Sequence, residues 1–380
     1  MTEPDGIERL AETWARLWAE TLPPPPMLEL VWVQEWWRLH RNKGQLLLIV
    51  ARDEHGAPRG IAPLYLRAPR PDGANSLLRS VRFLGQGENE VDEVRGEYMT
   101  WLAAPGALSA VTQAVVEALK KHARLWDRLD FDCLRESTRI HEELPESLSA
   151  ATTRRTRTAA PAYRSPALPL AAYLARIPSQ KMRYQCRRAL RQAETEGAVF
   201  VRASSDVEAE VMLDALAELH QRQWHKRGQP GVFSSALFTG FHRRMIRRYR
   251  QDGRLWLVGL RRGTEWMAVR YHIQAGSCLY DYISGVVNDG ERAVLKPGIV
   301  LHLHTIDAAA AAGLRTYDFM GGDYEYKRRL AVEAGEMVSI ELLGAGARAR
   351  AWGAARGLWR RLRPLRGDDR PPPAGAADGD

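Results

Sequence analysis

The run YDYISGVV (Tyr280–Val287), followed through LKPG (Leu295–Gly298) to YDFM (Tyr317–Met320) and GGDYEYKRRL (Gly321–Leu330), decides how this chain is read. Aromatic and β-branched residues crowd the first segment and predict a strand. The turn-forming stretch NDGER (Asn288–Arg292) leads to LKPG, where a helix opens that runs from about Gly298 to Ala312 and stops at Gly313. A second strand returns after it. A strand, a loop into a helix amino terminus and a return strand form a βαβ unit, and its two ends are where an anionic ligand and a reacting group would sit.

The chemistry of that helix start is specific. Pro297 suits the first turn because its missing N–H has no intrahelical acceptor there anyway. Gly298 leaves the backbone open to a ligand, and Lys296 adds a positive charge beside free N–H groups, so the tripeptide predicts a phosphate seat. Plain loop-to-helix punctuation is the competing reading. The glycines match neither GxxxxGKS nor GxGxxG, which argues against a P-loop or a dinucleotide fold.

Outward from this unit, 380 residues exceed one ordinary core and predict two domains. With 45% apolar and 27% charged residues, most of the chain reads as globular. No apolar run approaches membrane-spanning length and the amino terminus lacks an apolar core, so neither a transmembrane span nor a secretory signal is expected. Three scattered cysteines, Cys133, Cys186 and Cys278, fit a reducing cytoplasm and lack metal-ligand spacing. His302 and His304, two apart on a helix, point to different faces, and no metal site is predicted. The net charge of +9 implies an anionic partner without naming it.

In chain order, LELVWVQEWWRLH reads as a helix with Trp32, Trp36 and Leu39 on a core face. LLLIVARDEHGAPRGIAPLYLRAP reads as a hairpin, SVRFLGQG and GEYMTWLAA as strands, and residues 107–125 as a helix. RLDFDCL alternates Leu129, Phe131 and Cys133 against Asp130 and Asp132. Residues 149–166 lack apolar periodicity, and the segment 151–166 reads as a linker. The basic helix SQKMRYQCRRALRQAETEG offers Lys181, Arg183, Arg187 and Arg188 to an anionic substrate or to cofactor phosphates, against a plain solvated face. Helices over about 207–227 and 235–250 and a second hairpin follow, and His220 and His225 flank Trp224, a candidate lining of the acceptor pocket. The tail from Gly346 to Arg366 holds seven arginines and no acid, with Trp352, Trp359 and Leu362 on one side. It predicts a surface helix that contacts an anionic membrane peripherally, against a solvated appendage, and residues 367–380 read as disordered.

The two halves echo each other. Each has a hairpin and a helix followed by a strand that contains Asp-Phe, Asp130-Phe131 in RLDFDCL and Asp318-Phe319 in RTYDFMGG. Two copies of one α/β fold follow, spanning 1–150 and 167–344. Only the second contains LKPG and GGDYEYK, so only the second is expected to hold chemistry.

The ordered series KMRYQCRRALRQAETEG, LHQRQWHKRGQPGVFS, YISG and LKPGIVLHLHTIDAAAAAGLRTYDFMGGDYEYKRRL, with EWWRLH and GIAPLYLR, resembles the acetyltransferase-like proteins of the CelD/BcsL type. These are relatives of the FemABX aminoacyl transferases and are built from two tandem GNAT-like domains. The resemblance implies an α/β (α+β) fold in which each domain is a mixed central sheet flanked by helices. It implies acyl transfer from acetyl-CoA or another acyl-CoA, as co-substrate, to an amine or hydroxyl of a small-molecule or glycan-precursor acceptor, in exopolysaccharide or envelope synthesis. The donor is expected at Lys296, Pro297, Gly298 and Ile299 with Ser284 and Gly285, the acceptor near Arg183, Arg187, Trp224 and Tyr282, and the reaction at Asp323, Tyr326 and Lys327. For the reaction, Asp323 or Glu325 is the candidate base and Tyr324 or Tyr326 the proton donor to the thiolate. A cap role for Asp323, paired with Lys327, is the structural alternative. The functional alternatives are a FemABX-like transferase fed by aminoacyl-tRNA and a non-catalytic polyanion-binding protein. No DNA partner is expected.

Overall fold

The computed structural model describes residues 2–3, 5–69, 77–88, 92–148, 154–287 and 295–362. The chain divides into two compact units, residues 1–87, 94–160 and 336–370 in the first and 88–93, 161–335 and 371–380 in the second. In the first unit α1 (Gly6–Arg9), α2 (Ala11–Glu20) and α3 (Leu30–His40) precede the hairpin of β1 (Gly44–Arg52) and β2 (Pro58–Arg67). Then come β3 (Ser80–Phe83), β4 (Leu102–Ala103), α4 (Leu108–Lys121), β5 (Arg128–Arg135) and α5 (Ile140–Ser147). β6 (Arg154–Pro166) carries the chain into the second unit.

There α6 (Leu170–Arg176), α7 (Gln180–Thr195), β7 (Ala198–Arg202), α8 (Asp206–His225) and α9 (Ala236–Gln251) lead to the hairpin of β8 (Trp256–Arg262) and β9 (Glu265–Ala275). The deciding stretch becomes β10 (Cys278–Val286), α10 (Pro297–Ala311), β11 (Thr316–Gly321) and α11 (Glu325–Leu330). β12 (Glu333–Leu343) and α12 (Ala347–Leu362) return to the first unit. The NDGER loop lies outside the described residues, as does the tail beyond residue 362. Among the described residues no helix is long and apolar enough to cross a membrane.

Apart from β4, which pairs with β2 in the first unit, and β7, which pairs with β8 in the second, the two units share one strand topology. A hairpin leads to a third strand, a helix crosses over, and a fourth strand pairs parallel to the third: β5 with β3 in the first unit and β11 with β10 in the second. An antiparallel fifth strand completes each sheet, β12 on β5 and β6 on β11. The echo in the sequence is therefore a structural repeat, but its fifth strands are drawn from distant sequence. The segment read as a linker over 151–166 is a strand from Arg154 onward, and Met337–Leu343, expected in the second domain, pairs with Arg128–Arg135 of the first. Alternation along a strand records which face is buried and not which sheet the strand joins, so this exchange leaves no sequence signal.

Two further expectations change. GEYMTWLAA yields only the two-residue β4, because Tyr98 takes a left-handed φ of 56° and Met99 forms a single bridge to Leu134. The alternation in β5 breaks at Cys133, whose φ is 49°: a bulge opposite Ser339 turns it aside and Leu134 is buried instead.

Packing follows the expected faces. Trp14, Trp32, Trp36 and Trp101 are fully buried, whereas Leu39 is only half-buried and Val33 and Trp37 go inward. In the second unit Tyr173, Leu174, Met182, Cys186 and Ala189 from α6 and α7 join Val300, Leu301, Leu303 and Ile306 of α10 against Val258, Leu260, Leu279, Tyr317 and Phe319 of the sheet. Each fully buried aliphatic side chain there contributes about 1.5–3 kcal/mol by leaving water. The opposite face carries α8, so close that a Cβ on Gly285 would lie 2.7 Å from Leu219 Cβ and 2.8 Å from the His220 nitrogen and the Leu216 carbonyl.

Candidate functional site

β10 and β11 pair only over Cys278–Tyr280 with Thr316–Asp318. Past that point β10 stays with β9 as far as Val286, and β11 stays with β6 as far as Gly321. Both strands shift register as they part, between Asp281 and Ile283 and between Asp318 and Met320. Met320 has a φ of 61°, and its N–H donates to Asp318 Oδ1 at 2.7 Å, so the Asp-Phe element fixes the bulge at which β11 turns away. The result is a V-shaped opening at the carboxyl ends of two parallel strands, the place where open α/β sheets bind ligands. Because α10 is the crossover from β10 to β11, its amino terminus lies at that same end.

Lys296, the residue before the helix, is held at a φ of 48°, a conformation that costs a non-glycine residue about 1 kcal/mol and clusters at functional sites. At this helix start Pro297 has no N–H, and Ile299 and Val300 donate to the Lys296 carbonyl at 3.0 and 3.1 Å. This leaves the Gly298 N–H toward an anion that the helix dipole favours. A Cβ on Gly298 would lie 3.6 Å from Arg270 Nη2, so the guanidinium sits directly beneath this turn. The positive charges of Arg329, Arg187 and Lys296 act against burial on the Cys186 thiol, which burial nonetheless raises to about 11. Arg329 donates to Gln185 Oε1 at 2.5 Å and contacts Glu325 at 3.2 Å, while Arg187 is exposed with no ion pair among the described residues.

Other residues singled out from the sequence fall elsewhere. Arg183 donates to the Ile177 and Pro178 carbonyls at 2.6 and 3.1 Å and so ties down the loop before its own helix. Gly285 serves the close approach of α8. Its neighbour Ser284 is paired with Arg270 across the sheet, and Ile299 is half-buried in the first turn of α10. Trp224 is buried and stacks on His220 at 5.8 Å, and the Tyr282 hydroxyl meets His242 Nε2 on α9 at 3.2 Å. Trp224 and Tyr282 thus belong to the side of the sheet that carries α8 and α9.

The segment after β11 is a turn and a short helix. Asp323 is exposed, accepts from Tyr163 at 3.2 Å and is ion-paired with Arg328 and not with Lys327. Lys327 is buried, and its ammonium donates to the Gly321 carbonyl at 2.7 Å, holding the end of β11. Tyr326 is half-buried, with its ring stacked on His302 at 5.3 Å.

Beneath these lies a cluster the sequence reading did not find. Arg270 Nη1 and Asp281 Oδ2 are 2.7 Å apart, with both side chains almost wholly buried. His272 Nε2 is 3.3 Å from Asp281 Oδ1 and 2.9 Å from the Tyr317 hydroxyl, which also meets His302 Nδ1 at 2.8 Å. Burial pushes His272 down to about 4, against the pull of Asp281, and holds His302 well below its ordinary value, reinforced by Arg270, His272 and Lys327. Burial raises the Tyr317 phenol well above its usual range. Both rings are therefore neutral at physiological pH. The legible signal was polarity at core-facing strand positions: Arg270, His272 and Asp281 sit on segments whose neighbours are apolar, where a charge is tolerated only if paired.

Residues 180–328 match the family model described as an acetyltransferase (GNAT) domain, within the second unit. Among solved structures the chain is similar to FemX at 12% identity, with a TM-score of 0.57, covering 84% of this chain and 92% of that one. It is also similar to a conserved protein of unknown function from Bacteroides thetaiotaomicron, at 11% identity and a TM-score of 0.55, covering 90% and 99% of the two chains. A third likeness is to the C-terminal domain of a putative lysylphosphatidylglycerol synthetase from Agrobacterium fabrum, at 10% identity and a TM-score of 0.52, covering 93% and 96%. No curated protein matches in sequence. The fold is that of two tandem GNAT-like domains, each a mixed sheet flanked by helices, and the match over 180–328 supports a transferase.

Proposed function

We propose that the second unit takes an acyl group from acyl-CoA, acetyl-CoA first among donors, and passes it to an amine or hydroxyl of a small-molecule or glycan-precursor acceptor. The observation that carries this reading is the parting of β10 and β11 at the end where α10 begins. An extended pantetheine arm fits between strands that have released each other's backbone groups, and a pyrophosphate suits the helix start at Lys296, Pro297, Gly298 and Ile299. Arg187 and Arg329, which with Lys296 act electrostatically on Cys186, add the positive charge that a polyphosphate donor requires. In the reaction the acceptor nitrogen or oxygen bonds to the thioester carbon, the C–S bond breaks, and the thiolate takes a proton.

Tyr326, half-buried beside the opening, is the proton donor in this reading. Lys327 positions the end of β11, and Asp323, committed to Arg328 and Tyr163, anchors the turn. Envelope polysaccharide synthesis and a peripheral membrane contact through α12, whose sequence is rich in arginine, extend the proposal. The test is release of free thiol from acetyl-CoA and from a longer acyl-CoA in the presence of amine and amino-sugar acceptors. Acceptor-dependent release that Tyr326→Phe lowers at least tenfold is expected. Absence of release with every donor and acceptor would contradict it.

A further inference from the structure

The apex of the opening holds buried polar atoms, His272 Nδ1 among them, that the described residues leave without hydrogen bonds. His302 Nε2 and Asp281 Oδ1 lack a hydrogen-bond partner among the described residues, although both side chains are wholly or almost wholly buried. His302 Nε2 is 3.9 Å from Asp281 Oδ2, too far for a direct bond. Asp281 is the first residue of β10 beyond the last pair with β11, so this is where the strands begin to separate. A buried donor or acceptor left unmet costs about 1–3 kcal/mol, and the cost is recovered only if something else meets it.

The connected atoms form a line. The Tyr317 hydroxyl has one proton and touches a nitrogen on each of two histidines, so it donates to one ring and accepts from the other. When His272 carries its proton on Nδ1, an atom with no hydrogen-bond partner among the described residues, its Nε2 accepts from Tyr317. Tyr317 in turn accepts from His302 Nδ1–H, which leaves His302 Nε2 bare and basic. The titratable and charged groups around His302 are Asp281 of β10, Arg270 and His272 of β9, Tyr317 of β11, and Lys327 and Tyr326 of α11.

We propose that His302 Nε2 is the base that receives the acceptor's proton, and that Tyr317 and His272 relay the resulting charge to the Asp281 carboxylate. This rests on the acyltransferase reading above. As the acceptor attacks, its proton moves to His302 Nε2, the Nδ1 proton passes to the Tyr317 oxygen, and the Tyr317 proton passes to His272 Nε2. The imidazolium then lies on His272, 3.3 Å from Asp281, where it is neutralised. The C–N or C–O bond forms, the C–S bond breaks, and the thiolate takes the Tyr326 proton, which solvent replaces. When product leaves, His272 returns its proton along the same line and His302 Nε2 releases the acceptor's proton to solvent. Tyr326, stacked over His302, must swing aside as the acceptor enters.

Two variants and one spectrum test this. His302→Gln keeps an amide near the Nε2 position without basicity and is expected to lower kcat at least 100-fold, the usual scale of general-base catalysis, with donor Kd and acceptor KM unchanged. Tyr317→Phe interrupts the line and is expected to lower kcat about tenfold with the same split between kcat and KM. In the unliganded wild-type protein, the 15N ring shifts of His302 should report a neutral ring protonated on Nδ1. His302→Gln that binds donor and retains wild-type kcat, or a His302 ring protonated on Nε2, would overturn the relay. Failure of the wild-type protein to bind any acyl-CoA would instead remove the acyltransferase reading, and the ring spectrum would still judge the tautomer.

Discussion

The third and fourth strands part in both units, yet among the described residues only the opening in the first unit is filled by the chain itself. In the first unit β3 and β5 pair over Ser80–Val81 with Arg128–Leu129 and no further. The released edge of β5 is then taken by Met99, whose N–H donates to the Cys133 carbonyl at 2.9 Å and whose carbonyl accepts from Arg135 at 3.0 Å. Gln86 is buried in the same place, donating to the carbonyls of Gly96 and Asp132 at 2.9 and 2.8 Å. In the second unit no described backbone segment occupies the corresponding edge. On the proposed function, the repeated architecture whose cleft its own chain fills serves as a brace, and the one whose cleft no described residue fills, with a cationic helix start beside it, serves as the site. The difference lies in loops and not in the sheets.

The buried charges extend the contrast. Asp281 is almost wholly buried against Arg270, whereas Asp130 of the first unit, ion-paired with Arg82 and Arg128, keeps 24% of its side chain exposed. Asp281→Ala should therefore cost about 3–5 kcal/mol of stability in urea unfolding by stranding the Arg270 guanidinium. Asp130→Ala should cost less than half as much, because solvent reaches the remaining charges. Equal losses would erase the distinction drawn between the two clusters.

A smaller effect is expected from opening the filled cleft. Gln86→Ala removes both donors and leaves the Gly96 and Asp132 carbonyls without them, at a cost of about 2 kcal/mol. On the proposal that the second unit alone holds the donor, acyl transfer is expected to be unchanged. A variant that instead loses transfer while remaining folded would assign the first unit a share of the chemistry.

Much of the fold was legible in the sequence because its signals are local. The helix start at Pro297, its stop at Gly313, the hairpins and the repeat of Asp-Phe strands all follow from residue type and spacing. The fifth strands were not legible, since RRTRTAAPAYRSP lacks alternation and a strand does not announce its sheet. Within the site, the helix start was found from backbone chemistry, but the relay was not. Arg270, His272, Asp281, His302 and Tyr317 come from four elements, and only the fold brings them within hydrogen-bond reach. Asp323 stood out by its position beside the second strand, while its ion pair with Arg328, five residues on, depended on the turn adopted by Gly322–Tyr324.

The most direct measurement is isothermal titration of acetyl-CoA, and of a longer acyl-CoA, into the wild-type protein and into the Lys296→Glu, Gly298→Glu double variant. The account predicts one donor bound per chain and loss of that binding in the variant, because two carboxylates at the helix start repel the pyrophosphate and one of them is forced toward Val286 and Arg270. Binding that survives in the variant, or a wild-type protein that binds neither donor, would contradict it.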